Sequence, residues 1–385
     1  MSTMRIFKNA KRWYEDRSTY RFYSSQFKRF LAMHGYSAGK AEGEEEYVRN
    51  WSRLTHRVDP YSYRLFSHYM GPNKYILPED VGDSVIEYYL NPMEYRAFYA
   101  DKNLFGQYLK PASALPRELL RRIGKSSVFL DGQYRISPIR PDSTAEDIAD
   151  AFSQYDRLVL KPAERSNSGS NVLLFHRQPQ EDGTVCFVDG KGQKLDGALL
   201  RRYPYGNSFV LQEALVQHPY LAQFCTTSVN TLRLCMYRSV VDESVQMFAA
   251  AVRIGHTGSV VDNLHAGGGF VKIDVETGEL GHTVYDQYGG RTTVLNDIDF
   301  AATFVIPEWD KVRSFAESIV RQIHHMRLMS LDVSLDAEGC PRLIEFNVSE
   351  FAFWIPMFSG QQVFGDRMEE VIEYCRKRLV RDKRI

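Results

Sequence analysis

Hydrophobic positions fall into distinct textures along the chain. Up to about residue 70, aromatic residues recur at helical spacing among Arg and Lys, as in Tyr20-Arg21-Phe22-Tyr23 followed by Phe27, Phe30 and Leu31. This predicts a mainly helical N-terminal region. Gly71-Pro72-Asn73 and Leu77-Pro78-Glu79-Asp80 interrupt the pattern, and Pro78 ahead of two acids marks a new helix start. From Arg157 the texture changes to short β-like runs, RLVLKP, NVLLFH, SFVLQE, NTLRLCMYR, VQMFAAAVRI and FVKIDV. Two amphipathic helices follow. One covers 311–328 with Val312, Phe315, Ile319, Ile323 and Met326 on one side. The other covers 366–380 with Met368, Val371, Ile372, Cys375 and Leu379. Between them, LDVSL at 331–335 and RLIEFN at 342–347 flank a turn-rich stretch and predict a hairpin. The class is α+β with mostly antiparallel strands, without internal repeats or low-complexity linkers.

Composition narrows the function classes. A chain of 385 residues, 44% hydrophobic and 25% charged, with 48 basic and 48 acidic residues, is long enough for two or three domains. That balance argues against disorder and against a generally basic nucleic-acid binder. No apolar run is long enough to span a bilayer, and residues 1–10 carry charges with no hydrophobic block behind them. The five cysteines (186, 225, 235, 340, 375) never form CxxC, so neither a disulfide framework nor a zinc site is expected, and a reducing cytoplasm is the default location.

The hairpin carries the first candidate chemistry. If Leu335 pairs with Arg342, Asp332 stands opposite Glu345, and alternation puts Asn347 on their face. Leu331, Val333, Ile344 and Phe346 are then expected on the core face. Two carboxylates and a carboxamide together suit a hard divalent cation that leaves positions open for phosphate. The same residues also fit an ordinary polar solvent face. A second signal is the run from Leu158 to Phe175, in which a strand ends in Lys161-Pro162 before the loop Ser166-Asn167-Ser168-Gly169-Ser170. Lys161 can reach toward phosphate, and the loop offers backbone N–H groups and hydroxyls to cradle it. It is neither a Walker A loop nor GxGxxG, and a surface hairpin with a lysine at its rim fits the same residues.

Taken in order, these elements resemble the ATP-grasp superfamily of carboxylate–amine ligases. The resembling motifs are Lys161-Pro162, Ser166–Ser170, Gln212-Glu213-Ala214-Leu215, and Asp332 followed by Glu345-Phe346-Asn347, with Asp101-Lys102-Asn103 ahead of them. Val261-Asp262-Asn263-Leu264-His265-Ala266 and the glycines 267–269 are similar to a segment of the glutamate-ligase branch. A narrower resemblance, to sugar-transfer-associated ATP-grasp proteins, rests on Tyr99–Phe105, Ser228–Arg233 and Val252–Gly255 running into Val261-Asp262-Asn263.

The resemblance implies an ATP-grasp fold, with two antiparallel-sheet subdomains clasping ATP behind a helical N-terminal region. It implies divisions at 1–92 (helical), 93–156 (N-terminal subdomain), 157–215 (lid) and 216–385 (core, metal site and C-terminal helix). Lys102 and Lys161 would contact the α- and β-phosphates, with Ser166, Ser168 and Gly169 covering them. Gln212, Glu213 and Leu215 would form the adenine hinge. Asp332, Glu345 and Asn347 would hold Mg²⁺ or Mn²⁺.

Arg233 and Arg253 sit in apolar strands, where a guanidinium needs an anion; they are candidates for the γ-phosphate, the substrate carboxylate and the oxyanion. Arg238, which ends its run, is expected on the solvent face. Asn263 is a candidate phosphate or substrate contact, and His265 a candidate for proton transfer from the amine. The pair His324-His325 is expected in a helix, as packing or surface.

Three departures from the pattern stand out. Ser330 occupies a position where D-alanine–D-alanine ligases carry Arg. Gln217 or His218 would have to hold the ribose. Val348-Ser349-Glu350-Phe351 replaces a Pro-Gly turn, with Phe353 and Trp354 nearby to stack on a sugar ring or pack in the core. The implied activity is an ATP- and Mg²⁺-dependent ligase joining a small-molecule carboxylate and an amine (or thiol) through an acyl phosphate. Its implied setting is surface-glycan or secondary-metabolite biosynthesis, with no nucleic acid, no membrane span and the oligomeric state open. The alternative is a kinase acting on a hydroxyl. A non-catalytic nucleotide sensor is disfavoured by the intact Lys161, Asp332, Glu345 and Asn347.

Overall fold

The structure, a computed structural model, describes residues 3–164, 171–259, 262 and 264–384. Ser166, Ser168, Gly169 and Asn263 therefore lie outside the described residues. The N-terminal region is helical, with Thr3–Met33, Glu44–Trp51 and Pro60–Met70 as its main helices. Asp59 caps the third by accepting from Ser62 N, with Pro60 opening the helix. A π-helical stretch, Gly82–Glu87, follows.

All strand pairs are antiparallel. The first sheet contains β1 (Glu118–Arg122), β2 (Leu130–Asp131), β3 (Arg157–Pro162), β4 (Leu173–Pro179), β5 (Val185–Asp189) and β6 (Phe209–Glu213), in the order β2-β1-β6-β3-β4-β5. It thus draws on residues 118–131 as well as on 157–213. Leu158, Leu160, Phe175, Phe209 and Leu211 pack its outer face onto helices Ala145–Ala151 and Gly197–Arg202. The opposite face carries Lys161.

The second sheet is built from β7 (Thr231–Arg238), β8 (Val245–Ile254), β9 (Gly269–Ile273), β10 (Leu280–Tyr285) and β11 (Arg291–Thr292). After the separate small pair β12 (Val294–Leu295) and β13 (Ile298–Asp299), β14 (Leu328–Leu335) and β15 (Pro341–Asn347) complete it. Its order is β11-β10-β9-β8-β7-β14-β15. Alternation divides the strands cleanly. Leu232, Leu234, Val252, Val271, Leu331 and Val333 face the amphipathic helix Trp309–Gln322, while Cys235, Tyr237, Ala251, Phe270 and Leu328 face the N-terminal helices and the C-terminal helix Met368–Arg381. The N-terminal region therefore covers one half of the sheet face whose other half bears Arg233 and Asp332.

Three local expectations are corrected. The helix predicted over 311–328 stops at Gln322, because His325 turns into the left-handed region (φ 66°) and Leu328 already begins β14. His325 consequently stands in the turn, stacked on Tyr95 at 4.1 Å. Arg238 does not face solvent: it is buried and donates to Val320 O at the end of that helix, where the unpaired carbonyls lie.

Arg122 is a buried cation with no carboxylate partner among the described residues, donating to the carbonyls of Leu200, Arg201, Tyr203 and Asn207. Removing it leaves several buried acceptors unpaired, at about 1–3 kcal/mol each. Arg122→Ala is therefore expected to lower stability by roughly 3 kcal/mol or more, read as a denaturation midpoint shift; a loss under about 1 kcal/mol would show that water replaces it freely.

Candidate functional site

The hairpin β14–β15 places Asp332 directly opposite Glu345, although its turn end is offset by one residue from the expected register. Leu335 pairs with Pro341, Ser334 with Arg342 and Val333 with Leu343, and a bulge at Ile344 restores the register at Glu345. The bulge moves Leu343 into the core in place of Ile344, which stays half-buried, while Phe346 packs inward as expected. It also has a chemical consequence, since Lys161 Nζ donates to the Ile344 carbonyl at 3.2 Å.

Lys161 comes from the end of β3 in the first sheet, so this contact joins the two sheets at the hairpin. Lys102, after the N-cap Asp101, lies beside it, with Lys102 N donating to Ala163 O at 3.0 Å and Lys102 Nζ 3.1 Å from Glu345 Oε2. Burial, followed by the neighbouring Lys102 charge, pushes the Lys161 ammonium down to about 8. Burial works to raise Glu345, but Lys102 and Lys161 together outweigh it and hold its carboxyl below the ordinary range. The Glu345 side chain keeps 30% of its surface exposed.

Asp332 sits between two arginines. Arg233 Nη2 donates to its Oδ2 at 3.2 Å and Arg233 Nη1 to Ser330 Oγ at 3.1 Å; Arg253 Nη1 approaches the same Oδ2 at 3.4 Å. Arg233 Nε lies 2.7 Å from Asp332 Oδ1 but is not aimed at it, so this is an ion contact rather than a hydrogen bond. Burial raises the Asp332 carboxyl and the two guanidinium groups oppose that shift. Arg253 Nη2 also donates to Asp262 Oδ1 at 3.1 Å, and Thr231 Oγ1 donates to Asp262 Oδ2. The Nε groups of both arginines are buried without an acceptor among the described residues.

Other candidates fall at the edges. Gln212 is buried in β6 between Glu118 and Val159, Glu213 ends that strand exposed, and Leu215 is half-buried just beyond it. Asn347 shares the site face, and Ser330 pairs with it across the hairpin. His265 is exposed in the single turn Leu264–Ala266, three residues after Asp262. Gln217 and His218 are taken up structurally. Gln217 bonds Cys225 O, Ser228 O and Asn230, while His218 Nδ1 accepts from Tyr220 N. A cavity of about 850 Å³ runs along the hinge, lined by Glu213–Val216, Arg117, Tyr155 and Arg342, but Lys161 and Glu345 lie outside it.

Sequence reasoning did not single out Asp262, Thr231 or the Ile344 carbonyl. Strand alternation puts Thr231 on the face of Arg233, and Asp262 is adjacent to Asn263 in the sequence. The carbonyl depends on a bulge that the residue pattern does not announce.

The donor set suits a hard divalent cation: two carboxylates and a carboxamide on one face, with Asp332 Oδ1 buried and receiving no hydrogen bond. Among the described residues no three His, Cys, Asp or Glu side chains gather as a metal site. No helix among the described residues is long and apolar enough to cross a membrane.

Two antiparallel sheets meeting at paired lysines and a carboxylate hairpin are the ATP-grasp arrangement. The chain belongs to the sugar-transfer associated ATP-grasp family, whose signature matches residues 90–372. No curated protein matches the sequence. Among solved structures, the ATP-grasp ligase PsnB, in a complex with Mg and ADP, is similar at 12% identity and TM-score 0.38, over 74% of this chain and 62% of that one. The D-cycloserine synthetase DcsG is similar at 13% identity and TM-score 0.38, over 75% and 73%. The D-alanine-D-alanine ligase from Coxiella burnetii is similar at 8% identity and TM-score 0.37, over 75% and 60%. The match thus spans less than two thirds of PsnB.

Proposed function

We propose that this chain is an ATP- and Mg²⁺-dependent ligase that joins a small-molecule carboxylate to an amine through an acyl phosphate. The observation carrying this reading is the buried charge balance. Lys102, Lys161, Arg233 and Arg253 crowd around Asp332, Glu345 and Asp262, with two guanidinium Nε groups unspent. An excess of buried positive charge with idle donors calls for an anion, and a triphosphate supplies one. Family membership supports the nucleotide; the family's description supports a setting in glycan assembly, though a secondary-metabolite pathway uses the same chemistry.

In this reading the lid covers 157–215, sharing its sheet with 118–131, and the other divisions stay at 92, 156 and 215. Lys102 and Lys161 neutralise the α- and β-phosphates, and Ser166, Ser168 and Gly169 cover them. The Gln212–Leu215 stretch holds adenine. Asp332, Glu345 and Asn347 would hold the metal, whose charge would offset that of the phosphates. Arg233 and Arg253 orient the γ-phosphate and the substrate carboxylate. The carboxylate oxygen bonds to the γ-phosphorus as ADP leaves. The amine nitrogen then bonds to the acyl carbon, the carbon–oxygen bond to phosphate breaks, and the nitrogen loses a proton. Asn263 is assigned to substrate contact and His265 to that proton. Fixed donors are needed at the oxyanion, and Arg253 is the candidate.

Calorimetry with a non-hydrolysable ATP analogue and Mg²⁺ tests the nucleotide, and hydrogen exchange is expected to show added protection at Glu213–Leu215. Absence of both would remove the reading. Product analysis separates ligase from kinase: a ligase releases ADP and free phosphate only with carboxylate and amine together, whereas a kinase leaves the phosphate on its product.

A further inference from the structure

A cavity of about 470 Å³ lies where the N-terminal helices meet the loop that follows Asn347. Phe22, Tyr23, Glu79, Asp83, Glu350 and Trp354 are among the residues that line it. Its position follows from the sheet. On β14, Leu328 packs beneath the N-terminal helices and Asp332 stands on the same face four residues on, about 13 Å along the strand. Glu350, one wall of the cavity, is three residues past Asn347 and thus within about 11 Å of it along the chain.

Its walls are acidic and aromatic. Glu79 is 1% exposed, lines the cavity, and its Oε2 is buried without a hydrogen-bond donor among the described residues. Asp83 accepts from Tyr23 Oη at 2.6 Å. Phe22 stands at the rim, 60% exposed, edge-on to Tyr23. The wall formed by the loop is held in place. Glu87 Oε2 accepts from Phe351 N at 2.9 Å while Arg96 Nη1 donates to Glu87 Oε1 at 2.8 Å. Gly82 lets the loop close on the π-helical stretch, since a Cβ there would meet the Phe353 ring at 2.8 Å. This packing also accounts for Phe353, which is a core residue and not a sugar-stacking platform. Glu350 adopts a left-handed backbone (φ 55°), a conformation that a non-glycine residue keeps only when its surroundings enforce it.

We propose that this cavity binds an organic ammonium group, with Glu79 and Asp83 facing the charge and Phe22, Tyr23 and Trp354 its carbon body, and that its occupant is the amine substrate. The assignment of the occupant rests on the ligase reading; the affinity for ammonium does not. A buried carboxyl oxygen with no donor is costly to leave unmatched, and an ammonium offers three donors and a charge. Aromatic faces beside it favour a cation over a neutral molecule of the same shape. The helical N-terminal region would thereby have a chemical role, as one wall of the acceptor site.

The test uses the full chain and two pairs of probes, 2-phenylethylamine against 2-phenylethanol, and D-glucosamine against D-glucose. At neutral pH, NMR titration is expected to show saturable binding of at least one amine at millimolar concentration and none of its neutral counterpart. Glu79→Gln should weaken that binding at least about tenfold, the effect of losing a carboxyl that burial holds protonated when the cavity is empty and that a bound ammonium would ionise. The rim variant Phe22→Ala, which does not disturb the core, should weaken it too. Neutral probes binding equally, no amine binding, or binding indifferent to both variants would each overturn the proposal. An ATP-analogue titration of the same wild-type sample separates the two readings. If the amine binds and the analogue does not, the ligase reading fails and the ammonium site stands. If the analogue binds and no amine does, the site falls alone.

Discussion

The Glu345→Gln protein is expected to keep its fold and to bind an ATP analogue at high Mg²⁺, while turnover falls on the order of 10²–10³-fold, the usual scale for losing one preorganised electrostatic contact. The carboxylate lies opposite Asp332, 3.1 Å from Lys102, and is partly exposed, so its charge serves both the lysine and the proposed metal. The neutral amide keeps the shape and removes that charge. The Mg²⁺ concentration needed for half-maximal analogue binding should therefore rise, which is measurable before any substrate is known. Lys102 and Lys161 lose the carboxylate that balances them, so a modest drop in stability accompanies the change. An unchanged Mg²⁺ requirement together with wild-type turnover would remove Glu345 from the site.

Why was the hairpin legible and its surroundings only partly so? Strand alternation is a strict geometric rule, so Asp332, Glu345 and Asn347 could be put on one face from spacing alone, and the structure agrees. The same rule put Arg233 and Arg253 in strands, and both meet Asp332. What alternation does not carry is an irregularity. The bulge at Ile344 exchanged two core positions and exposed a carbonyl to Lys161, and nothing in RLIEFN marks it. Arg238 shows another failure: a charged residue at a strand end reads as solvent-facing, yet a helix end in the tertiary structure offers it carbonyls. The overrun of 311–328 has a related cause, because Ile323 and Met326 are buried and keep the apolar pattern going after the helix has stopped. The acidic cavity was invisible for a simpler reason. Phe22 and Tyr23, Glu79 and Asp83, and Glu350 and Trp354 come from three separated segments, and only the packing of the N-terminal helices on the sheet brings them together.

Lys161→Met is expected to make the protein more stable and to make it worse at binding nucleotide, and the two effects share one cause. In the fold the ammonium is pushed down to about 8, from an ordinary value of about 10.4 in the unfolded chain. A lysine whose value is lowered on folding binds more protons when unfolded, so stability rises with pH across the window between about 8 and 10.4. Below about 8 the folded protein carries the full cost of holding the charge. Methionine has similar length and no charge, so at pH 7 the variant should gain roughly 1–3 kcal/mol, less whatever Glu345 and the Ile344 carbonyl lose as partners. The gain over the parent should shrink as pH rises from 8 toward 10. Affinity for an ATP analogue should fall about 10–100-fold at pH 7, the scale of one charge-assisted hydrogen bond to phosphate. The parent's own affinity should weaken above pH 8 as Lys161 loses its proton, while the variant's does not respond to pH in this way. Denaturation and calorimetry at pH 7, 8.5 and 10 read both effects. A variant no more stable than its parent at pH 7, with equal nucleotide affinity, would mean that Lys161 is a structural tie between the sheets and holds no phosphate.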